Sequence, residues 1–128
     1  VKFLLDTQLA LWIPIGDAKL SSLVLSLLAS KENEFAFSTA SIWEIAIKRS
    51  LGKTGFQVDP RGVRSRMLKS GYEELPVHAH HAVAVDALPF IHKDPFDRLL
   101  IAQAMVEGIT LLTADVVIAR YPGPIKKV

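Results

Sequence analysis

His92-Lys93-Asp94-Pro95-Phe96-Asp97-Arg98-Leu99-Leu100-Ile101-Ala102-Gln103-Ala104 is the stretch on which the reading of this chain turns. Asp94 ahead of Pro95 is a strong helix start. The carboxylate accepts hydrogen bonds from free backbone N–H groups, and proline at the first helical position gives up an N–H that has no partner anyway. Asp97 then falls in the first turn, where an acid suits the helix dipole and a capping-box arrangement. Both acids therefore have a local use, and Asp94 is assigned mainly to that structural role.

Three other acids stand in comparable settings. Asp6 follows the apolar run Phe3-Leu4-Leu5, and Asp115 comes soon after Ile109-Thr110-Leu111-Leu112. Glu44 sits among Ile42, Trp43, Ile45, Ala46 and Ile47. Each has a plain explanation when taken singly. Asp6 and Asp115 suit helix caps, Ser41-Ile42-Trp43-Glu44 matches a capping box, and Glu44 is spaced to pair with Lys48 one turn on. Ser41, Glu44 and Lys48 nevertheless form a polar stripe between apolar flanks, which suits the wall of a cleft.

The rest of the chain predicts short strands alternating with helices. Strands are expected over Val1 to Leu5, Glu34 to Phe37, Glu74 to Val77, Ile109 to Leu112 and around Ile125. Helices are expected over Gln8 to Trp12, Lys19 to Ser30, Ser38 to Leu51, Arg61 to Ser70 and His78 to Ala87, with a helical turn from Asp115. Lys53 to Pro60 reads as a polar loop, and Gly52, Gly71 and Pro89 close the segments before them. The implied architecture is α/β: a three-layer sandwich with a central parallel sheet flanked by helices, in one domain over residues 1–128. In such sheets ligands bind beyond the carboxyl ends of the strands, where Asp6 and Asp115 fall.

With 128 residues, one core is expected, burying roughly two-thirds of the surface exposed by the unfolded chain. Half the residues are hydrophobic and mean hydropathy is +0.30, which leaves apolar surface for a partner. The absence of Cys excludes disulfides, thiol catalysis and thiolate zinc sites, and it fits a cytoplasmic protein. No apolar run approaches the roughly 18 residues of a membrane span, and no signal peptide is expected. Net charge is +2, too small to argue nucleic-acid binding by itself. If four acids share one cleft, however, the remaining surface is basic, with Lys48, Arg49, Lys53, Arg61, Arg64, Arg66, Lys69, Lys93 and Arg98 available.

Convergence of Asp6, Glu44, Asp97 and Asp115 carries a consequence. At 4 Å and an effective dielectric near 20, each like-charged pair costs about 4 kcal/mol, so the cluster needs a proton or a cation. Hard oxygen ligands without Cys or a paired-His motif point to Mg²⁺ or Mn²⁺. His78, His80 and His81 fit no zinc spacing and read as polar helix-start residues, and His92 packs over the Asp94 turn. No G-x-S-x-G, G-x-x-x-x-G-K-[ST] or G-x-G-x-x-G is present, which weighs against hydrolase-elbow, nucleoside-triphosphatase and dinucleotide-binding readings.

These segments resemble the PIN-domain ribonucleases, specifically the VapC-type toxins of bacterial toxin–antitoxin pairs, over nearly the whole length. Phe3-Leu4-Leu5-Asp6-Thr7 is similar to the family's opening strand, and Ser41 to Lys48 to its glutamate helix. His92 to Ala104 is similar to its most specific segment, and Leu111-Leu112-Thr113-Ala114-Asp115 to its closing acidic strand end. The resemblance implies that Asp6, Glu44, Asp97 and Asp115 are the catalytic, metal-binding acids, with Thr113 supporting the site. It also implies a homodimer and an antitoxin partner that covers the site. Gln8 and Ala114 depart from the residues common in close relatives, His and a polar or basic residue, which touches substrate contacts rather than the four acids.

The reaction expected from this reading is metal-dependent hydrolysis of RNA phosphodiesters, with Asp6 and Asp97 as principal ligands and Lys48, Arg98 and the 61 to 69 helix as phosphate contacts. The leucine stripe from Leu20 to Leu28 is the expected apolar anchor for the antitoxin. Two rivals stand beside it. One is a phosphotransfer enzyme using Asp6 as a covalent nucleophile, disfavoured because Gln8 replaces the usual partner acid. The other is a PIN-like binding module without catalysis, disfavoured because all four acids are present.

Overall fold

The strands Lys2–Leu5 (β1), Glu34–Ser38 (β2), Glu73–Leu75 (β3), Thr110–Thr113 (β4) and Ile125–Lys127 (β5) form one sheet in the order β3-β2-β1-β4-β5, with every neighbouring pair parallel. The structure is a computed structural model that describes residues 1–52 and 58–128. Most of the polar loop expected from Lys53, and Lys53 itself, lies outside the described residues. The helices are Thr7–Ile15 (α1), Ser22–Ala29 (α2), Thr39–Ser50 (α3), Pro60–Lys69 (α4), Ala79–Ala84 (α5) and Pro95–Glu107 (α6). Short 3₁₀ turns follow at Val85–Ala87 and Ile118–Arg120.

Strand alternation sorts the apolar side chains onto two faces. Phe3, Leu5, Phe35, Phe37 and Leu112 pack with Leu9, Val24, Ile45, Val63 and Met67, residues of α1 to α4. Leu4, Ala36 and Leu111 pack on the other face with Leu100, Ile101 and Ala104 of α6, and with Ile118 and Tyr121. Both faces of the sheet are therefore covered, as the near-continuous apolar strands require, and the expected three layers are present.

Local chemistry explains where the boundaries differ from the sequence reading. α1 runs on past Trp12 because Pro14 lies in its last turn, and Gly16, in the left-handed conformation at φ 61°, donates its N–H to Ile13 O. α2 starts late because Ser21, not a residue near Lys19, caps it by accepting the Val24 N–H. Its leucines consequently divide: Val24 is buried and Leu20, Leu27 and Leu28 pack on the core, while Leu23 and Leu25 are 42% and 53% exposed. β3 ends at Leu75, ahead of Pro76, which has no N–H for the ladder.

The chain steps outward from β1 to β2 and β3, then returns to place β4 on the other side of β1. The crevice between the carboxyl ends of β1 and β4 is thus the topological switch point of the sheet. Asp6 follows β1 directly, and its N–H reaches Leu112 O of β4 at 3.0 Å. No helix among the described residues is long and apolar enough to cross a membrane.

Candidate metal centre

Asp6, Glu44, Asp97 and Asp115 all line a cleft of about 510 Å³ at this switch point, together with Thr7, Gln8, Trp12, Lys48, His92, Asp94 and Ala114. The acids reach it from four separate places in the sequence. Asp6 and Asp115 come from the ends of β1 and β4, Glu44 from α3, and Asp97 from the first turn of α6.

Asp6 is 2% exposed and serves two purposes. Its Oδ1 accepts the Leu9 N–H at 2.8 Å, which caps α1, and its Oδ2 accepts the Thr113 hydroxyl at 2.6 Å. Thr113 accepts the Asp115 N–H at 3.0 Å in turn, so one hydroxyl ties both strand-end acids together. Asp115 Oδ1 accepts the N–H groups of Val117 at 2.7 Å and Ile118 at 3.2 Å. Capping and lining the cleft are therefore compatible in both residues.

Glu44 is held from two sides. The Thr7 hydroxyl has one hydrogen to give, and donating it to Glu44 Oε1 at 2.8 Å leaves the 2.9 Å contact with Ser41 to the serine's hydrogen. Glu44 Oε2 pairs with Lys48 Nζ at 2.8 Å, as the spacing predicts. The helix cap itself is Ser38, which accepts the Ala40 N–H, so Ser41-x-x-Glu44 is not a capping box. The flanks are also unequal, because Ile45 is fully buried whereas Trp43 is 60% exposed.

Asp94 caps α6 through Oδ1, accepting Phe96 N–H at 2.8 Å and Asp97 N–H at 3.2 Å. His92 does more than pack over the turn: its Nε2 lies 2.8 Å from Asp97 Oδ2. Ligand atoms of His92, Asp94 and Asp97 come within 4.8 Å of one another. The acids thus fall into two groups across the cleft, Asp6 with Asp115 and Asp97 with Asp94 and Glu44.

Burial pushes the Asp6 carboxyl up despite its hydrogen bonds to Thr113, Leu9 and Ala114, and Asp115 pushes it the same way. Burial, then Asp94 and Glu44, push Asp97 up to about 7, with His92 opposing. Carboxyls raised first by burial and further by neighbouring acids gain from a cation beside them. The all-oxygen donors fit a hard divalent ion such as Mg²⁺ or Mn²⁺, which binds through a few carboxylates and keeps waters.

A model of the family described as PIN domain matches residues 3–124 of this sequence. The chain belongs to the PIN domain family. Solved structures share the fold of this PIN domain. A chain of VapBC2 from Rickettsia felis, bound to a DNA fragment from their promoter, aligns with a TM-score of 0.71 at 19% identity, covering 99% of this chain and 98% of that one. DNA-bound VapBC from Salmonella typhimurium gives 0.67 at 17%, covering 99% and 98%, and VapBC-5 from Mycobacterium tuberculosis 0.60 at 18%, covering 99% and 97%. No curated protein matches the sequence.

Two sequence expectations meet a different geometry in this PIN domain. Arg98 does not line the cleft. Its guanidinium donates to Pro89 O at 3.0 Å, to the Tyr121 hydroxyl at 3.1 Å and to Val85 O at 3.3 Å, and lies over the Phe90 ring. It fastens the 85–90 segment rather than facing a substrate. His78, the cap of α5, is a helix-start residue as expected, but His81 is fully buried. His81 Nδ1 accepts the His78 N–H at 2.9 Å, which puts the neutral ring's hydrogen on Nε2, 3.2 Å from Glu107 Oε2. A metal at that Nε2 would displace the hydrogen with no free ring nitrogen to receive it. His81 thereby caps α5 and ties it to Glu107 at the end of α6, although ligand atoms of His80, His81 and Glu107 also lie within 4.8 Å of one another.

Thr7, Ser41, His92, Gln8 and Trp12 complete the cleft or hold its acids; the sequence reading placed Ser41 on the cleft-wall stripe and tied Gln8 to substrate contacts, but gave Thr7, His92 and Trp12 no role in the site. The polar stripe around Ser41 and the place of His92 two residues before Asp94 were the available signals.

Proposed function

We propose that this PIN domain is the toxin of a VapC-type toxin–antitoxin pair and an Mg²⁺- or Mn²⁺-dependent endoribonuclease. The observation that carries the reading is the gathering of four carboxylates from distant segments in one cleft, with Asp6 and Asp97 both raised by burial and by neighbouring acids. Asp6, Glu44, Asp97 and Asp115 would hold the ion, with Asp94 and Thr113 in support. Bound there, the ion supplies Lewis acidity toward the scissile phosphate and a more acidic water.

The chain's own residues do the positioning. Thr113 fixes Asp6 Oδ2 and the Asp115 backbone, Thr7 and Ser41 fix Glu44, and His92 orients Asp97. Lys48, at the cleft wall, is the phosphate contact that steadies the strand without reading bases.

The rivals are weaker on specific grounds. Covalent phosphotransfer through Asp6 would need a partner acid two residues on, and that position is Gln8, an amide that cannot serve as the acid. A PIN-like binding module without catalysis gives no reason to keep all four acids. The solved relatives are VapBC complexes, which supports an antitoxin partner, with the exposed Leu23 and Leu25 of α2 as its anchor. A homodimer acting in the cytoplasm completes the proposal.

Cleavage of a panel of structured RNAs by wild type and Asp97→Asn, with and without Mg²⁺, tests it. Metal-dependent cleavage lost in the variant supports the reading, and equal cleavage by both proteins refutes it.

A further inference from the structure

We propose that Gln8, Trp12 and Lys19 form a nucleoside subsite beside the carboxylates, in which Trp12 stacks an unpaired base of the RNA. The inference rests on the nuclease reading and adds where the strand runs and which RNA conformation is accepted.

Gln8 and Trp12 are one turn apart on α1, so their side chains share a face. Both line the carboxylate cleft. Both also line a second hollow of about 410 Å³, whose walls include Leu11, Val63 and Arg66. The two hollows therefore meet at this pair, and a strand crossing the acids passes directly over the indole. Trp12 is half-buried, packed against the core on one side. The exposed Lys19 reaches over the indole, its Nζ 5.5 Å from the ring centroid, and has to swing off that face for a base to stack.

This combination matches what one nucleotide requires. An aromatic face stacks any base, a neighbouring ammonium meets its phosphate, and the exposed Gln8 amide offers a donor and an acceptor to a base edge. Charge is complementary along the path, with Lys48 in the cleft and Arg66 in the second hollow. The two anions in that hollow are already engaged. Asp17 accepts the Lys19 N–H at 2.8 Å, and Asp59 accepts the Arg61 N–H at 3.0 Å and pairs with Arg49 at 3.1 Å. A base inside a duplex must be unpaired and unstacked before it reaches Trp12, so the subsite favours RNA that is already unpaired.

The chain has two tryptophans, so Trp43→Phe leaves Trp12 as the single indole reporter. In that background, with Ca²⁺ replacing Mg²⁺ and strand integrity checked on gels, single-stranded oligouridylate or oligoadenylate is titrated against a matched strand of abasic residues. Base-bearing strands are expected to quench Trp12 emission, and abasic ones to leave it unchanged. Trp12→Ala should weaken binding of base-bearing RNA by about 5- to 150-fold, Trp12→Phe far less, with neither changing affinity for the abasic strand. Circular dichroism checks that each variant folds.

Equal affinity of wild type and Trp12→Ala for base-bearing RNA would overturn the subsite. So would an equal loss on abasic strands, which would make Trp12 a packing residue. Loss of a co-purified protein partner with RNA binding intact would assign the hollow to protein instead. If wild type cleaves RNA while Trp12→Ala behaves identically, the subsite alone fails; if wild type neither binds nor cleaves any RNA, the nuclease reading falls with it.

Discussion

Asp97→Asn is expected to stabilise the metal-free protein, by an amount that grows with pH. The Asp97 carboxyl is raised from 3.8 to about 7, chiefly by burial and then by Asp94 and Glu44. A folded-state value above the unfolded one contributes stability that is complete below about pH 4 and is lost as pH rises through about 7. Taken in full, that difference amounts to about 4 kcal/mol. The side chain keeps some contact with solvent, which screens the interaction, so about 2 kcal/mol is the working figure. Asparagine keeps the shape and cannot ionise. Above pH 7 the variant should gain the full amount, a rise in Tm of roughly 6–10 °C for a chain of this size, and the gain should shrink steadily toward pH 4. Urea unfolding in EDTA at pH 5 and pH 8 measures it. A gain absent at pH 8, or larger at pH 5, would refute the argument that burial and the neighbouring acids raise Asp97. Saturating Mn²⁺ should reverse the ranking, because an ion at about 100 times its Kd stabilises the protein that binds it by about 2.7 kcal/mol.

Thr113→Val keeps the side-chain shape but removes the hydroxyl shared by Asp6 and Asp115; urea unfolding should show a loss of about 1–3 kcal/mol, and an unchanged midpoint would contradict the role given to that hydroxyl. Arg98→Ala is expected to lower stability by about 1–3 kcal/mol through its lost bonds to Val85, Pro89 and Tyr121, while the salt dependence of RNA binding stays as in wild type; a shallower salt slope would return Arg98 to the substrate contacts. His81→Phe fills the same buried space without accepting the His78 N–H, so hydrogen exchange should quicken at the start of α5, and unchanged protection there would show that the cap contributes nothing.

The sheet was readable because its strands are mostly short apolar runs, the first closed by Asp6-Thr7, while the third strand was misbounded: it stops at Leu75 ahead of Pro76 where the reading ran on to Val77. Helix ends were less so. The first helix runs to Ile15, three residues past the expected Trp12, with Pro14 inside it and Gly16 closing it. Of the candidate site, the placing of the four acids in one cleft could be expected, since Asp6 and Asp115 follow apolar strands, Glu44 lies among apolar helix residues and Asp97 opens a helix behind Asp94-Pro95. Their partners were not. Ser41-x-x-Glu44 imitates a cap while Ser38 does the capping, so the polar stripe hinted at a cleft wall without showing that the Thr7 and Ser41 hydroxyls hold Glu44. The His92 contact with Asp97 crosses the Asp94-Pro95 turn, which no periodicity describes. Arg98 next to Asp97 looks like a phosphate contact in sequence, and only three-dimensional packing turns its guanidinium toward carbonyls on the far side.

Direct titration of Mn²⁺ into wild type, Asp6→Asn and Asp97→Asn, followed by calorimetry, tests most sharply whether both groups of acids serve one ion centre. The account predicts that wild type binds and that each single substitution weakens binding by an order of magnitude or more. Undiminished affinity in folded Asp6→Asn would mean that the strand-end acids and the α6 acids do not act together, and the proposed centre would be wrong.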